Sequence, residues 1–212
     1  MRKTRLNRRA ALAAAAFAAA AVFATPSFAD EAAETFVAQI LVEVNEVFRS
    51  PDRAARDAGI ERLVDSYVDM KRVSLFALGQ YARQITPEQK AAYFPLVRRY
   101  STTIYQEALA DYDGQRLKVT GSVDRAQNDI VVSSRFADAK PGDQFAETVF
   151  SWRVYRAPDG KMAVIDAGAD GVWLAIEQQS QFKSVIANNG GGAAGIDALI
   201  ADLKRRVGGQ PL

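Results

Sequence analysis

Two pairs of carboxylates, one pair of guanidinium groups and two indoles are the side chains of this sequence with chemistry to offer. Asp111 and Asp113 share a turn, and Asp166 and Asp170 flank the end of a strand-like segment. Either pair could imitate the acids of a hydrolase or isomerase, although aspartate in turns commonly serves only to bond nearby backbone N–H groups. Arg98 and Arg99, with Lys90 on the same stretch, could hold a phosphate at a pocket mouth or face water. Trp152 and Trp173 could be core residues or platforms for a ligand. What is missing narrows the field further. The 212 residues include no Cys and no His. There is then no thiolate nucleophile, no disulfide framework, no imidazole base and no Ser-His-Asp triad. Most familiar catalytic designs are excluded.

At 49% hydrophobic and 25% charged residues, the chain has a globular composition, and its length suits one domain. Residues 1–29 read as an address. Arg2, Lys3, Arg5, Arg8 and Arg9 precede an apolar run from Ala10 to Ala24, and Ser27 and Ala29 fit the small-x-small rule of a signal-peptidase site. Cleavage is therefore predicted after Ala29. The run is shorter than the ~20 apolar residues a membrane-spanning helix needs. The Arg8-Arg9 pair suits the twin-arginine route and the remainder suits Sec export; both lead to the periplasm. Removing this leader takes five basic and no acidic side chains, leaving 22 against 25 and a net charge near −3. Such a surface does not favour nucleic acid.

The elements that must position these side chains follow from periodicity. Helical spacing runs from Asp30 to Arg49, from Asp52 to Val68 and from Asp69 to Gly79. Thr86-Pro87-Glu88-Gln89 has the pattern of a capping box with proline at the first helical position. The helix it starts is predicted to reach Ala110, with a bend near residues 91–95 because Pro95 lies inside it. After Asp113-Gly114 the period drops to 2, with Leu117, Val119 and Val123 on one face of a first strand. Ile130, Val132, Ser134 and Phe136 share a face of a second, and Thr148, Phe150, Trp152 and Val154 of a third. Lys161 to Ala167 makes a fourth. This is an α+β pattern: a four-stranded antiparallel sheet packed on one face by helices. Val172 to Ala187 reads as helix, Gly190–Gly195 as a flexible linker, and Ile196 to Val207 as a last helix. Residues 30–207 form one domain, and 208–212 a disordered tail.

Several blocks together carry a likeness to a known family. They are Leu78-Gly79-x-Tyr81-x-Arg83 with Thr86-Pro87-Glu88-Gln89 and Phe94, and Tyr105-x-x-x-Leu109-x-x-Tyr112. To these are added Val164-x-Asp166-x-x-x-x-Gly171-Val172, Gln181-Phe182 and Gly195-x-Asp197-x-Leu199-Ile200-x-x-Leu203. In this order the chain resembles the MlaC family of periplasmic phospholipid-binding proteins, also called toluene-tolerance proteins, from about Phe36 to Leu203. Ala82, Gln178-Gln179 and the longer glycine loop depart from the family pattern. A hopanoid-associated branch of the same superfamily is the neighbouring alternative.

The resemblance implies a lipid carrier and no enzyme, with an apolar cavity between sheet and helices, no cofactor, and phospholipid as cargo. It implies as partners an inner-membrane ABC transporter complex with an MCE-domain protein and an outer-membrane lipoprotein complex. Its wall is expected from Leu75, Leu78, Tyr81, Phe94, Val97, Ile104, Phe150, Trp152 and Trp173. Each CH₂ removed from water is worth ~0.8 kcal/mol, so two acyl chains represent on the order of 20 kcal/mol. A cavity of roughly 1,000 Å³ would be needed to house them. Two other readings stay open: an enzyme built on an aspartate in an apolar pocket, and an envelope interaction factor without a ligand.

Overall fold

Side-chain caps set where the first four helices begin. The computed structural model describes residues 30–110, 112, 114–143 and 146–208; the predicted leader, Asp111, Asp113 and the tail beyond Gly208 lie outside the described residues. Asp30, Asp52 and Asp69 accept N–H bonds from the first turns of α1 (Glu31–Phe48), α2 (Arg53–Tyr67) and α3 (Met70–Ala77). Thr86 and Gln89 form the predicted capping box at the start of α4 (Pro87–Ala108). This helix runs unbroken through Pro95, whose exposed ring leaves the buried side of the helix intact. A 3₁₀ turn at Gly79–Arg83 joins α3 to α4, with Gly79 at φ 54.

The strands β1 (Leu117–Ala126), β2 (Asp129–Phe136), β3 (Phe150–Arg156), β4 (Met162–Ala169) and β5 (Val172–Trp173) form one antiparallel sheet in chain order. The sheet has five strands, not four. Asp170 at φ 48 and Gly171 at φ 84 make a two-residue hairpin that pairs Val172 with Ala169 and Trp173 with Gly168. Left-handed conformation at both central residues is what such a tight hairpin demands. Helix α5 therefore starts later than predicted, at Leu174 (Leu174–Asn188). A second difference lies in β1. The register slips between Val119 and Gly121, so one extra residue turns Val123 to the outside, where it is 52% exposed.

Two larger packed bodies result, with a smaller cluster of Phe48, Ile60 and Val64 between α1 and α2. Helix α1 lies on the sheet face that carries Ile130, Val132 and Val154, and its Ala33, Val37 and Leu41 seal that contact. Its start is held by Arg156, which donates to Asp30 at 2.6 Å, and by Ser122, which accepts from the Asp30 N–H at 2.7 Å. The other body joins α3, α4, α5 and α6 (Gly192–Val207) around Tyr93, Val97, Phe182, Ile186, Leu199 and Leu203. The segment between α2 and α3 links them: Val68 bridges Val164 beside β4, and the Asp69 N–H donates to the Val164 carbonyl.

The glycines near residue 190 are not a linker. Gly191 caps α6, which begins at Gly192, and Gly195 is fully buried within that helix. A Cβ at Gly195 would overlap the Ile186 carbonyl oxygen of α5. The glycine thus allows two helix backbones to meet. Gln89 ties α4 to α6, since its Nε2 donates to the Ala193 carbonyl at 3.0 Å and to Asp197 at 2.7 Å.

Gly195→Val is expected to destabilise the protein by about 2 kcal/mol or more, the scale of overpacking a filled interior, read as a lower urea midpoint. Acid should also destabilise it. Arg153 donates two 2.8 Å bonds to Asp129 and, against partial burial, holds its carboxyl pKa below the usual value. That stabilisation is complete above the unfolded pKa of about 4 and vanishes as pH falls through the lower folded value. Asp129→Asn should flatten the fall in urea midpoint below about pH 4.

Candidate functional site

The carboxylates that could imitate an acid pair do structural work instead. Asp166 Oδ1 accepts from the N–H groups of Ala167 and Ala175, both at 2.9 Å. Ala175 is the second residue of α5, whose N-cap residue Trp173 supplies no side-chain bond. Asp166 caps that helix from the adjoining strand. Burial pushes its carboxyl pKa up, opposed by the two backbone N–H bonds and by the charge of Arg153. Asp170 is exposed and accepts from the Val149 N–H at 2.9 Å. Asp111 and Asp113 lie outside the described residues.

Arg98 does not face an open pocket mouth. It donates to Asp65 at 2.7 and 2.6 Å and to Glu61 at 3.1 Å, tying α4 to α2. Among the described residues no cluster of acidic, His or Cys side chains could hold a metal, and no helix is long and apolar enough to cross a membrane.

The nine predicted wall residues separate into two groups. Leu78, Tyr81 and Val97 belong to the sealed helical core, with Phe94 packed against it, and Leu75 is half-buried on α3. Phe150, Trp152 and Trp173 are half-buried on the sheet, and Ile104 is half-buried near the end of α4. Phe150 and Trp152 share the inner face with Ser134, which accepts from the Trp152 Nε1–H at 2.9 Å. Trp152 also packs against the cluster beneath α1. The structure thus brings the strand residues to one end of the sheet and leaves Leu78, Tyr81 and Val97 in a different body.

That end of the sheet is rich in aromatic rings that periodicity places on apolar faces without distinguishing them from core. Phe48, at the end of α1, meets Tyr112 edge-on at 4.7 Å. Tyr112 stacks on Phe136 at 6.5 Å, and Phe136 meets Phe150 edge-on at 5.2 Å. The row starts at a surface groove of about 340 Å³ lined by Val42, Asn45, Glu46, Phe48, Arg49, Gly114 and Arg116. A second cavity, of about 490 Å³, is lined by Gly142, Asp143, Ala146, Glu147, Thr148 and Asp170. Neither includes a predicted wall residue, and each is smaller than two acyl chains require. The groove does lead, ring by ring, to Phe150. Its guanidinium groups are paired, Arg49 with Glu46 and Arg116 with Asp138.

Tyr105 opens the Tyr105-x-x-x-Leu109-x-x-Tyr112 block of the sequence. It sits on α4 against the cluster of Phe48, Ile60 and Val64. Surrounding protein desolvates its hydroxyl and, with the Asp166 carboxylate adding in the same direction, pushes the pKa up to about 12. Its side chain is nevertheless only half-buried.

This arrangement is an apolar, partly unsealed layer between a sheet and helices, with a grooved opening and no assembled catalytic group among the described residues. A solved structure has a similar fold. A phospholipid-binding protein from Ralstonia solanacearum, solved at 1.53 Å in complex with a phospholipid, is similar with a TM-score of 0.65 and 26% identity. The likeness covers 84% of this chain and 97% of that one. The family model described as MlaC protein matches residues 34–205. Matched over that span, the chain belongs to the MlaC family.

Proposed function

We propose that this protein carries phospholipid through the periplasm, holding acyl chains between the inner face of the sheet and α1, α4 and α5 while the head group stays at the grooved end. Exported by its leader and freed of it after Ala29, it would shuttle lipid between an inner-membrane ABC transporter with an MCE-domain ring and an outer-membrane lipoprotein complex. The observation that carries this reading is the row of half-buried rings, Tyr112, Phe136 and Phe150, at one end of a sheet in a fold similar to that of a phospholipid-bound protein. Family membership and the bound phospholipid of the Ralstonia solanacearum relative support the choice of cargo. The wall is drawn from Ile104, Phe150, Trp152 and Trp173, with Tyr105 and Phe136 added. Leu75, Leu78, Tyr81, Phe94 and Val97 would back the wall rather than touch lipid.

The physics favours a carrier over a surface binder. Roughly 20 kcal/mol of hydrocarbon transfer must be offset for lipid to leave a membrane, and only enclosure of the chains does so. No nucleophile, metal or base is needed for this task.

Protein purified from periplasm without detergent should release phospholipid on extraction, with close to one lipid per chain by native mass spectrometry. Repeatedly empty protein would overturn the reading and favour an interaction factor, and extracted hopanoid would redirect it to the other branch. Phe150→Asp or Trp152→Arg should lower lipid occupancy at least fivefold while thermal unfolding stays cooperative. Unchanged occupancy in both would place the chains elsewhere.

A further inference from the structure

Helix α6 opens on three glycines at positive φ, Gly190 at 86, Gly191 at 65 and Gly192 at 53. Gly191 stands at the N-cap and supplies no side-chain bond. Bonding begins with the Gly195 N–H, which donates to the Gly191 carbonyl at 2.8 Å. The N–H groups of Gly192, Ala193 and Ala194 have no partner among the described residues. Helix α4 runs parallel beside α6: Gln89 near its start bonds Ala193 and Asp197, and Tyr100 further on accepts from Arg206 at 3.2 Å. Two positive helix ends therefore lie together. A helix start with free N–H groups is common, but the side chain beside this one is not. Tyr81 is only 8% exposed, yet its hydroxyl bonds no described residue. Among the described residues no side-chain oxygen or nitrogen is both sealed away and unbonded, so this hydroxyl opens on reachable space. That space lies at the glycines. A Cβ at Gly191 would stand 3.8 Å from Tyr81 Cε1 and 4.0 Å from its hydroxyl oxygen. A buried polar side chain left without a protein partner calls for one from outside.

We propose that the Tyr81 hydroxyl and the N–H groups of Gly192, Ala193 and Ala194 form a phosphate-binding site at the start of α6. Backbone N–H groups at a helix start point outward along the axis, where the dipole favours an anion. The glycines leave no Cβ between that backbone and Tyr81. Four donors suit a tetrahedral group with several oxygens better than a planar carboxylate. Gln84 stands close by, its Oε1 3.6 Å from where a Cβ on Gly192 would lie, and a half-turn of its carboxamide presents Nε2 as a fifth donor. The acids at this end, Glu88 and Asp197, are exposed; Asp197 accepts from Gln89, and neither bonds the free N–H groups. Water screens their charge. Free phosphate and the phosphoryl group of a lipid head group share the chemistry the site would recognise. The site belongs to the solid helical body and does not depend on the carrier reading.

The test is a titration of the protein with inorganic phosphate, followed by amide NMR, against sodium chloride of equal ionic strength. Phosphate should move the Gly192, Ala193 and Ala194 signals saturably, and chloride should not. Tyr81→Phe, which removes one oxygen and keeps the ring, should weaken phosphate binding about two- to tenfold, the range of one net hydrogen bond. The wild-type titration gives a reading that does not depend on the variant folding. A second arm uses glycerophosphoglycerol, the water-soluble head group of phosphatidylglycerol. Tighter binding of this diester at the same signals supports the site and assigns it to lipid head groups; tighter binding of inorganic phosphate supports it and assigns it to the free ion. No saturable movement with either probe, the same movement with chloride, or unchanged affinity in Tyr81→Phe would overturn the assignment and leave the carrier intact.

Discussion

A protein that encloses hydrocarbon must keep apolar side chains from sealing against one another, and the proposed role depends on that constraint. An empty void costs ~24 cal/mol per Å³, so several hundred Å³ left vacant would cost ~10 kcal/mol. That exceeds much of the net stability of an ordinary domain. The fold answers by division. One body, from α3 to α6, is packed solid around Tyr93, Val97, Phe182 and Leu199, all at most 2% exposed. The other, the sheet with α1, has a sealed strip at Ile130, Val132 and Val154 and half-buried rings at Phe136, Phe150 and Trp152. The solid body supplies stability that the open one lacks.

Charged groups serve this division at its edges. Arg98 with Glu61 and Asp65, Arg153 with Asp129, and Arg156 with Asp30 each join separate elements. The more exposed Arg98 pairs contribute little individually, while the Arg153 and Arg156 pairs are part-buried, and all fix the orientation of helices and strands. Asp166 is the exception, a buried carboxylate tolerated because it caps α5. The same residue type that could have signalled catalysis holds a helix start in place.

Much of this was legible in the sequence, and the failures have physical causes. The capping box of Thr86 and Gln89 could be read directly because it is local; the bonds of Gln89 to Ala193 and Asp197 could not, because they span more than a hundred residues. Alternation identified Ile130, Val132 and Ser134 as one face and failed at Val123, since an inserted residue at a bulge reverses the parity. Asp170-Gly171 carried the signal of a tight hairpin, but the two-residue strand after it is too short for periodicity to register. Gly195 looked like loop because glycine usually marks one, whereas here it permits a close helix contact. The site was half legible. Sealed and half-buried positions demand the same apolar residues, so Leu78 and Val97 in the helical core could not be told from the half-buried Phe150 and Trp152.

The central claim is that acyl chains lie against the inner face of the sheet, and Trp152 can report on it directly. Trp152 and Trp173 are the two tryptophans of the chain, so Trp173→Phe leaves a single indole on that face. Loaded with phosphatidylcholine brominated along its acyl chains, this variant should lose most of its tryptophan emission relative to the same protein holding unbrominated lipid. Full emission with brominated lipid demonstrably bound would place the chains elsewhere and contradict the account.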